Sequence, residues 1–370
     1  MTTVKIPKQS ISGKNVYVVV TSAGRIEKIA EMIDELIANG ANIFIFPTEK
    51  ALNLIDPLKK FSDRIYKDFN WHGPRRSIPQ EDIVVVAPCT FNTFNKMSLG
   101  IADNYPTTLV ANAIGKRKRI VVIPSLNKDM WNHPVTKESV KRLESWGVII
   151  IWPETTNGKV SMMDYRKALD RLYIEESKII FDSEQVSSSE ITNLLGESRN
   201  KYFQEFVALG KIQEQEGTNS FTNGNYSMKV DDNWALITAT GSKSGNLSPE
   251  DLTLIRLDTS DKVVWAGEKM PSCDTPMHII YYKNTNAKSV AHSHCSKMTY
   301  SDELEIYKTP EYMRYGRFDS VAPSVSLLLN NKGFVILKFH GEVGIGETLL
   351  DAYSKIKYYF DKISKNDKAE

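Results

Sequence analysis

Cysteine is scarce in this chain, and neither sign of charge dominates. The three cysteines, Cys89, Cys273 and Cys295, form no C-x-x-C pair, so the sequence predicts no disulfide framework. With 47 basic and 45 acidic residues the net charge is only +2, so no bulk field favours nucleic acid or an anionic membrane. The basic run at 115–124 is short and enters an apolar stretch, which is typical of a solvated turn rather than a nucleic-acid patch.

Long apolar runs are also missing from the sequence. No stretch is long enough to cross a bilayer, and the polar N-terminus lacks the apolar centre of a signal peptide. Together with the few cysteines, this predicts a cytoplasmic protein with no membrane partner. A length of 370 residues favours two domains over one.

The first part of the chain alternates strand and helix signals. Its apolar runs are continuous rather than alternating, which is typical of parallel strands buried on both faces. Helical patterns between them indicate a βαβ series, so we expect a doubly wound α/β domain with a parallel sheet. The predicted strands lie at residues 16–21, 41–48, 82–90, 119–125 and 147–153.

The composition and the strand pattern change where the second domain begins. Residues 181–190 are polar and Ser-rich, and we interpret them as a linker between a first domain at 1–180 and a second at 191–370. Beyond a helix, residues 220–300 carry short alternating strands with Gly and Asn turns. The sequence therefore predicts an α+β domain with an antiparallel sheet.

Two of the six histidines, His292 and His294, lie one residue apart at the end of an apolar run. On a strand, residues two apart face the same side, so both imidazoles can reach one ion. His340, at the end of a later strand and followed by Gly341, offers a third nitrogen. Three neutral imidazoles leave one tetrahedral position open, as in catalytic zinc sites. The alternative is a pair of solvated polar side chains.

Motifs around these histidines occur in a characteristic order: GNYS (224–227), TATGSKSGNLSPEDL (238–252), PSCDTPMH (271–278), AHSH and FHG. This order resembles the class II aldolase and L-ribulose-5-phosphate 4-epimerase superfamily over roughly residues 190–360. The resemblance implies that zinc or another divalent ion is held by His292, His294 and His340. It implies a phosphate cradle at Asn225, Thr240, Gly241 and Ser272.

The same resemblance assigns a catalytic carboxylate to Asp274. The string Ser-Cys-Asp is closer to the epimerase form of this motif, since fuculose-phosphate-type aldolases carry Glu after two serines. Asp274 is also suited to cap a helix that begins with Thr275 and Pro276. The implied reaction is aldol cleavage, epimerisation or a related lyase step on a phosphorylated ketose, through an enediolate. Asp302 and Tyr353 are candidates for the further acid and base that an epimerase needs.

The first domain carries a resemblance of its own. APCTFNT (87–93), GIADNYPTTLVANA (100–113) and PSLNKDMW (124–131) resemble, in this order, the flavoprotein family that contains phosphopantothenoylcysteine decarboxylase. Members of that family bind FMN, usually at a subunit interface. The resemblance implies that a turn after the first strand approaches the flavin phosphate. The implied residues are Thr21, Ser22 and Gly24 for this turn, Pro88, Thr90 and Asn92 for the flavin, and His72 and Asn127 for catalysis.

These resemblances predict a bifunctional homo-oligomer in which a metal-dependent lyase or epimerase is fused to an FMN-dependent decarboxylase-like head. Two alternatives remain open. Only one head is catalytic and the other is a scaffold, since the first domain lacks the family's cysteine-containing substrate loop. Or the chain is a non-enzymatic assembly protein, as adducin-type relatives that lost their metal ligands are; retention of three histidines argues against this.

Overall fold

A computed structural model describes residues 6–68, 78–156, 159–162, 164–177, 181–187, 189–218, 224–312, 316, 318 and 321–369. The chain divides into two compact units that part between Glu176 and Ser177. Each unit has its own sheet and its own buried core. Among the described residues, no helix combines the length and the apolar character that crossing a bilayer demands.

The first unit is built on a five-stranded sheet in the order β2-β1-β3-β4-β5. All neighbouring strands pair in parallel, so the predicted doubly wound sheet is confirmed. The strands are β1 (Asn15–Val20), β2 (Asn42–Pro47), β3 (Ile83–Cys89), β4 (Arg119–Pro124) and β5 (Ile149–Ile150). Every residue of β3 is buried, because helices cover both faces of a parallel sheet.

Six α-helices lie in the described part of this unit. In α1, buried residues such as Ile26, Ile29, Ile33 and Leu36 recur every three or four positions, which turns one apolar stripe toward the strands. A short antiparallel hairpin of β6 (Glu154–Thr156) and β7 (Lys159–Ser161) follows the sheet. The helices are α1 (Ile26–Ala38), α2 (Phe91–Leu99), α3 (Tyr105–Gly115), α4 (Lys128–Asn132), α5 (Pro134–Ser145) and α6 (Tyr165–Glu176).

The second unit contains an eight-stranded sheet in the order β14-β15-β13-β9-β10-β11-β12-β8. Seven of these strands pair antiparallel, as predicted. The strands are β8 (Ser183–Gln185), β9 (Asn225–Lys229), β10 (Trp234–Thr238), β11 (Leu252–Arg256), β12 (Val263–Ala266), β13 (Ser289–Ser293), β14 (Phe334–Leu337) and β15 (Gly341–Gly346).

The edge strand β8 corrects the prediction of a linker at residues 181–190. It pairs in parallel with β12, Ser183 with Val263 and Gln185 with Trp265. The sheet is therefore mixed. The polar side chains of β8 resemble the composition of a linker. Main-chain hydrogen bonds nevertheless place it in the sheet, because an edge strand tolerates exposed polar side chains.

Helices cover both faces of this sheet. On β10, Leu236 faces one core with α7, α8 and α12, whereas Ala235 and Ile237 face the other with α9 and α11. The helices are α7 (Ser189–Leu195), α8 (Arg199–Glu216), α9 (Thr275–Asn284), α10 (Ser296–Thr299), α11 (Ala322–Asn330) and α12 (Leu349–Ala369).

Candidate metal centre and flavin site

Three histidines converge where β13 ends. His292 is on β13, His294 follows that strand directly, and His340 closes the turn between β14 and β15. The antiparallel pairing of β13 with β15, Ser293 opposite Glu342, brings this turn to the end of β13. The Nε2 atom of His292 lies 2.8 Å from Nε2 of His294 and 3.1 Å from Nε2 of His340. All three side chains are buried.

The turn can approach this closely because residue 341 is a glycine. A Cβ atom there would lie 2.1 Å from the main-chain oxygen of Ser293 and 3.0 Å from ring carbons of His292 and His294. Phe339, earlier in the same turn, adopts a left-handed φ of 59° that residues other than glycine rarely take. The turn that carries His340 therefore has an unusual backbone conformation.

The orientation of His292 follows from its second nitrogen. Its Nδ1 atom donates to the carbonyl oxygen of Glu342 at 2.8 Å, which leaves the Nε2 lone pair facing the other two imidazoles. Lone pairs that converge at such distances require a shared proton or a cation between them. Zinc binds imidazole nitrogen at about 2.0–2.1 Å, a length that suits neighbouring nitrogens about this far apart. The donor set therefore fits a divalent ion.

Asp274 completes the cluster. Its Oδ2 atom lies 3.7 Å from Nε2 of His292, and its Oδ1 atom lies 3.6 Å from Nε2 of His340. The four potential ligand atoms all lie within 4.8 Å of one another. Asp274 does occupy the N-cap position of α9, but its side chain makes no capping hydrogen bond. The carboxylate is turned to the histidines instead.

Asn225, which the resemblance assigns to the phosphate cradle, is held inside the protein at both ends of its amide. Its Nδ2 atom donates to Oδ2 of Asp274 at 2.6 Å, and its Oδ1 atom accepts from Nε2 of His278 at 2.6 Å. Nδ2 carries a second N–H besides the one that donates to Asp274, so the phosphate role of Asn225 stays a prediction.

The other cradle residues lie on adjoining segments. A bridge between Ala239 and Pro271 brings Thr240 and Gly241 beside Ser272. Gly241 is exposed, has a φ of +73° and faces open space. The main-chain N–H of Thr240 donates to the carbonyl of Met270 and that of Ser272 to the carbonyl of Thr238, so neither points to a ligand. The phosphate role of these residues remains a prediction.

Several residues of this centre were not predicted from the sequence. His278 and Tyr282 follow Asp274 at intervals of four, the spacing of one helix face, so a signal was present. Ser227 follows Asn225 at the interval of two that shares a strand face. Tyr353, a candidate acid or base, instead hydrogen-bonds Glu216 and Thr218.

Glu342 holds the segments that carry the histidines together through hydrogen bonds to its carboxylate. Its buried carboxylate accepts hydrogen bonds from the main-chain nitrogen of Cys295 at 2.9 Å, from Ser293 Oγ at 2.8 Å and from Thr299 Oγ1 at 2.7 Å. Burial raises the pKa of Glu342 to about 7, against the opposing effect of these donors. The three bonds tie the ends of β13 and β15 to α10.

In the first unit, three predicted flavin residues meet at the carboxyl ends of neighbouring strands. Thr21 follows β1, and its hydroxyl donates to the carbonyl of Pro88 at 2.6 Å and accepts from the main-chain N–H of Thr90 at 3.0 Å. Strand order reverses at β1 and β3, which is where doubly wound sheets bind ligands. Ser22 and Gly24 lie in the loop from β1 to α1, and Gly24 faces open space.

Asn92, predicted to bind the flavin, and Asn127, predicted for catalysis, both follow strands of this sheet. Asn92 lies exposed in the first turn of α2. Asn127 follows β4 at the same edge of the sheet and caps α4, accepting from the main-chain N–H of Met130 at 2.9 Å. His72 lies outside the described residues.

Comparisons with known proteins divide the chain in the same way. Residues 4–172 match the family described as Flavoprotein, and residues 204–361 match the class II aldolase and adducin N-terminal domain. Phosphopantothenoylcysteine decarboxylase of Mus musculus is 30% identical over 147 residues, covering 37% of this chain and 71% of its own length. Longer bifunctional proteins of coenzyme A biosynthesis match too, but the chain covers only 42% and 37% of their length.

Two relatives match the second half. L-fuculose phosphate aldolase of Methanococcus vannielii is 32% identical over 148 residues, covering 36% of this chain and 78% of its own length. The 3-oxo-tetronate 4-phosphate decarboxylase of Haemophilus influenzae is 30% identical over 167 residues, covering 40% of this chain and 77% of its own length.

Proposed function

We propose that the chain is a two-headed enzyme, because its first half belongs to the flavoprotein family and its second half to the class II aldolase family. The second half is a divalent-metal-dependent carbon–carbon lyase that acts on a phosphorylated hydroxy-ketone. The first half is an FMN-binding head. The convergence of three Nε2 atoms beside the Asp274 carboxylate carries the first assignment. Retention of the three histidines argues against a non-enzymatic assembly protein.

His292, His294 and His340 would hold the ion, zinc or another divalent cation. A bound ion supplies a Lewis acid that draws electron density from a substrate carbonyl oxygen and stabilises the negative charge left when a carbon–carbon bond breaks. Aldol cleavage and decarboxylation of a 3-oxo acid both leave such charge. The two second-half relatives are named for these two reactions, and both names include a phosphate.

The protein's own side chains have separate tasks in this scheme. Asp274 faces the imidazole nitrogens and would take or return a proton at its carboxylate. Thr240, Gly241 and Ser272 line adjoining segments that would accept the substrate phosphate, with Gly241 leaving room for an anion close to the main chain. Asn225 would join them through the second N–H of its Nδ2 atom, since only one N–H donates to Asp274.

The test uses metal analysis and phosphorus NMR on the full chain. Protein loaded with Zn²⁺, Mn²⁺ or Co²⁺ is incubated with L-fuculose phosphate and, separately, with 3-oxo-tetronate 4-phosphate. We expect one equivalent of metal per chain, and conversion of one probe that EDTA abolishes. His292→Ala should lose both the metal and the conversion, whereas the exposed His133→Ala should keep both. Failure of the wild-type chain to retain any divalent metal would refute the assignment.

The flavin head has a test of its own. The Thr21–Pro88–Thr90 contact at the strand-order reversal supports an FMN site there. We expect the purified protein, after incubation with FMN and gel filtration, to carry a flavin spectrum. Thr21→Val removes the hydroxyl that joins the two loops and should reduce FMN retention. Ser145→Ala at the end of α5, whose hydroxyl donates to the carbonyl of Arg142, should not. A colourless wild-type protein after loading would leave the lyase as the sole catalytic head.

A further inference from the structure

A line of hydrogen bonds leads from Asp274 away from the histidines and into the core. Asn225 Nδ2 donates to Asp274 Oδ2, and Asn225 Oδ1 meets His278 Nε2, each at 2.6 Å. His278 Nδ1 meets Ser227 Oγ at 2.6 Å, and Ser227 Oγ meets Tyr282 OH at 2.7 Å. None of these five residues is more than 5% exposed.

Two regular elements build this line. Asp274, His278 and Tyr282 are spaced by four and share one side of α9, while Asn225 and Ser227 are spaced by two and share one face of β9. The five side chains interleave between helix and strand. β9 also pairs with β13, with Asn225 directly opposite His292. The pairing of β9 with β13 therefore fixes the position of this line of hydrogen bonds relative to the metal centre.

The chemistry of each group fixes the direction of every bond. An amide oxygen only accepts, so the proton of neutral His278 is on Nε2 and its Nδ1 accepts from Ser227. Ser227 then accepts from the hydroxyl of Tyr282. Burial, reinforced by the nearby His292, holds the pKa of His278 well below its usual range, in keeping with a neutral ring. Every donor thus points toward the Asp274 carboxylate.

Ser227, His278 and Asn225 include the residue types of a nucleophilic triad, but the geometry argues against that role. Ser227 is completely buried, and its oxygen is already engaged by both His278 and Tyr282. A nucleophile must reach a substrate atom. The line ends on a carboxylate at the metal centre instead.

We propose that Asn225 is a positioning residue that, supported by His278, Ser227 and Tyr282, holds the Asp274 carboxylate facing the three Nε2 atoms. This inference rests on the proposed metal centre. It gives Asn225 a role beside the phosphate contact that the family resemblance implies, which stays a prediction. Groups that orient the ligands of a metal typically change metal affinity 10–100-fold when removed, which sets the size of the expected effect at roughly that range.

The experiment titrates the full chain with Co²⁺ and follows the visible absorption of the ion, which responds to its ligands and to a charged group beside them. Asn225→Leu should weaken Co²⁺ binding by roughly 10-fold or more and change the spectrum in the same sense as Asp274→Asn. The double variant should lose no more than Asp274→Asn alone, because both changes remove one oriented carboxylate. Wild-type affinity and spectrum in Asn225→Leu would overturn the proposal.

Adjacent tyrosines provide a matched control. Tyr281→Phe removes an equally buried hydroxyl that bonds Ser324 on α11 rather than Ser227. We expect Tyr282→Phe to alter the Co²⁺ spectrum and Tyr281→Phe to leave it unchanged, although both lose one buried hydrogen bond. Equal spectra for the two variants would mean that the far end of the line has no influence on the ion.

A metal-free measurement keeps the proposal testable if Asn225→Leu does not fold or the wild type binds no Co²⁺. Selective ¹⁵N labelling of the six histidines allows the ring tautomers to be read by NMR. We expect His278 of the wild type to be neutral with its proton on Nε2 at pH 7. A proton on Nδ1, or a charged ring, would contradict the line of hydrogen bonds. Absence of Co²⁺ binding with the expected tautomer would instead refute the lyase assignment alone.

Discussion

At the scale of single residues, the metal centre depends on the point where three imidazoles meet. The sequence predicts His292, His294 and His340 as ligands because imidazoles at a strand end suit a metal, and their Nε2 atoms do converge. The partners of Asn225 were missed because its assignment came from a family pattern. A hydrogen bond between β9 and α9 depends on how a helix packs on a sheet, and residue spacing in one segment does not contain that information.

Gly341→Ala is the sharpest test at this scale. The added Cβ would lie 2.1 Å from the oxygen of Ser293, so the turn that carries His340 must move. We expect at least a 10-fold loss of metal affinity and a loss of about 1–3 kcal/mol in the free energy of unfolding. Metal titration and urea unfolding measure the two effects.

Gly115→Ala is its control. Gly115 is the last residue of α3, and a Cβ there would meet no atom within 4 Å. We expect this variant to unfold at the same urea concentration as the wild type or a higher one. A Gly341→Ala protein that also behaves as the wild type would show that the turn does not constrain the imidazoles.

Asp251 makes the loop after β10 sensitive to acid. Burial alone would raise the pKa of Asp251, but a hydrogen bond from Lys269 at 2.8 Å and others from Ser248 and Ser242 outweigh it and lower the pKa. A lowered pKa in the folded state means that this stabilisation is complete above the usual value of about 3.9 and is lost as the pH falls through the folded-state value.

Asp251→Asn removes the charge on which these bonds depend. We expect it to lower the free energy of unfolding by about 1–3 kcal/mol at neutral pH and by less below about pH 4. Urea unfolding of both proteins between pH 3 and pH 7 measures this difference. A difference that does not shrink in acid would contradict the role of the ionised carboxylate.

At the scale of elements, the sequence predicts strands that have an apolar pattern, but it does not predict a strand held only by main-chain hydrogen bonds. Continuous apolar runs predicted β1 to β4 to within one or two residues, because burial on both faces leaves no polar positions. β8 was missed because three polar residues at a sheet edge need no apolar face to pair. Of β5, only two residues pair although seven were predicted.

Close packing of α8 on the loop at Ser244–Asn246 offers a test of element placement. A Cβ on Gly210 would lie 1.7 Å from the main-chain oxygen of Ser244, so the helix touches the loop directly. We expect Gly210→Ala to lower the free energy of unfolding by about 1–3 kcal/mol, more than Gly115→Ala changes it. Amide hydrogen exchange should rise first at residues 242–248. Unchanged exchange there would mean that the helix and the loop can move apart without a loss of stability.

At the scale of the whole molecule, the two halves have separate sheets, cores and candidate cofactors. A ligand that binds only the folded state stabilises it by about 2.7 kcal/mol at a free concentration of 100 times its Kd. We therefore expect EDTA to raise hydrogen exchange in β13 and β15 of the metal-loaded protein and to leave β1 and β3 unaffected. Addition of FMN should have the converse pattern. Equal responses of both sheets to EDTA would contradict separate cofactor sites.

The edge strand β8 has a practical consequence for dissecting this chain. A shortened protein that begins at residue 191 would leave behind the strand that shields Val263, Val264 and Trp265 of β12. Unpaired main-chain donors and acceptors beside apolar side chains can pair with another copy, so we expect this fragment to aggregate more readily than one that keeps β8. A cut before Ser183 keeps the shield attached to the half that it protects.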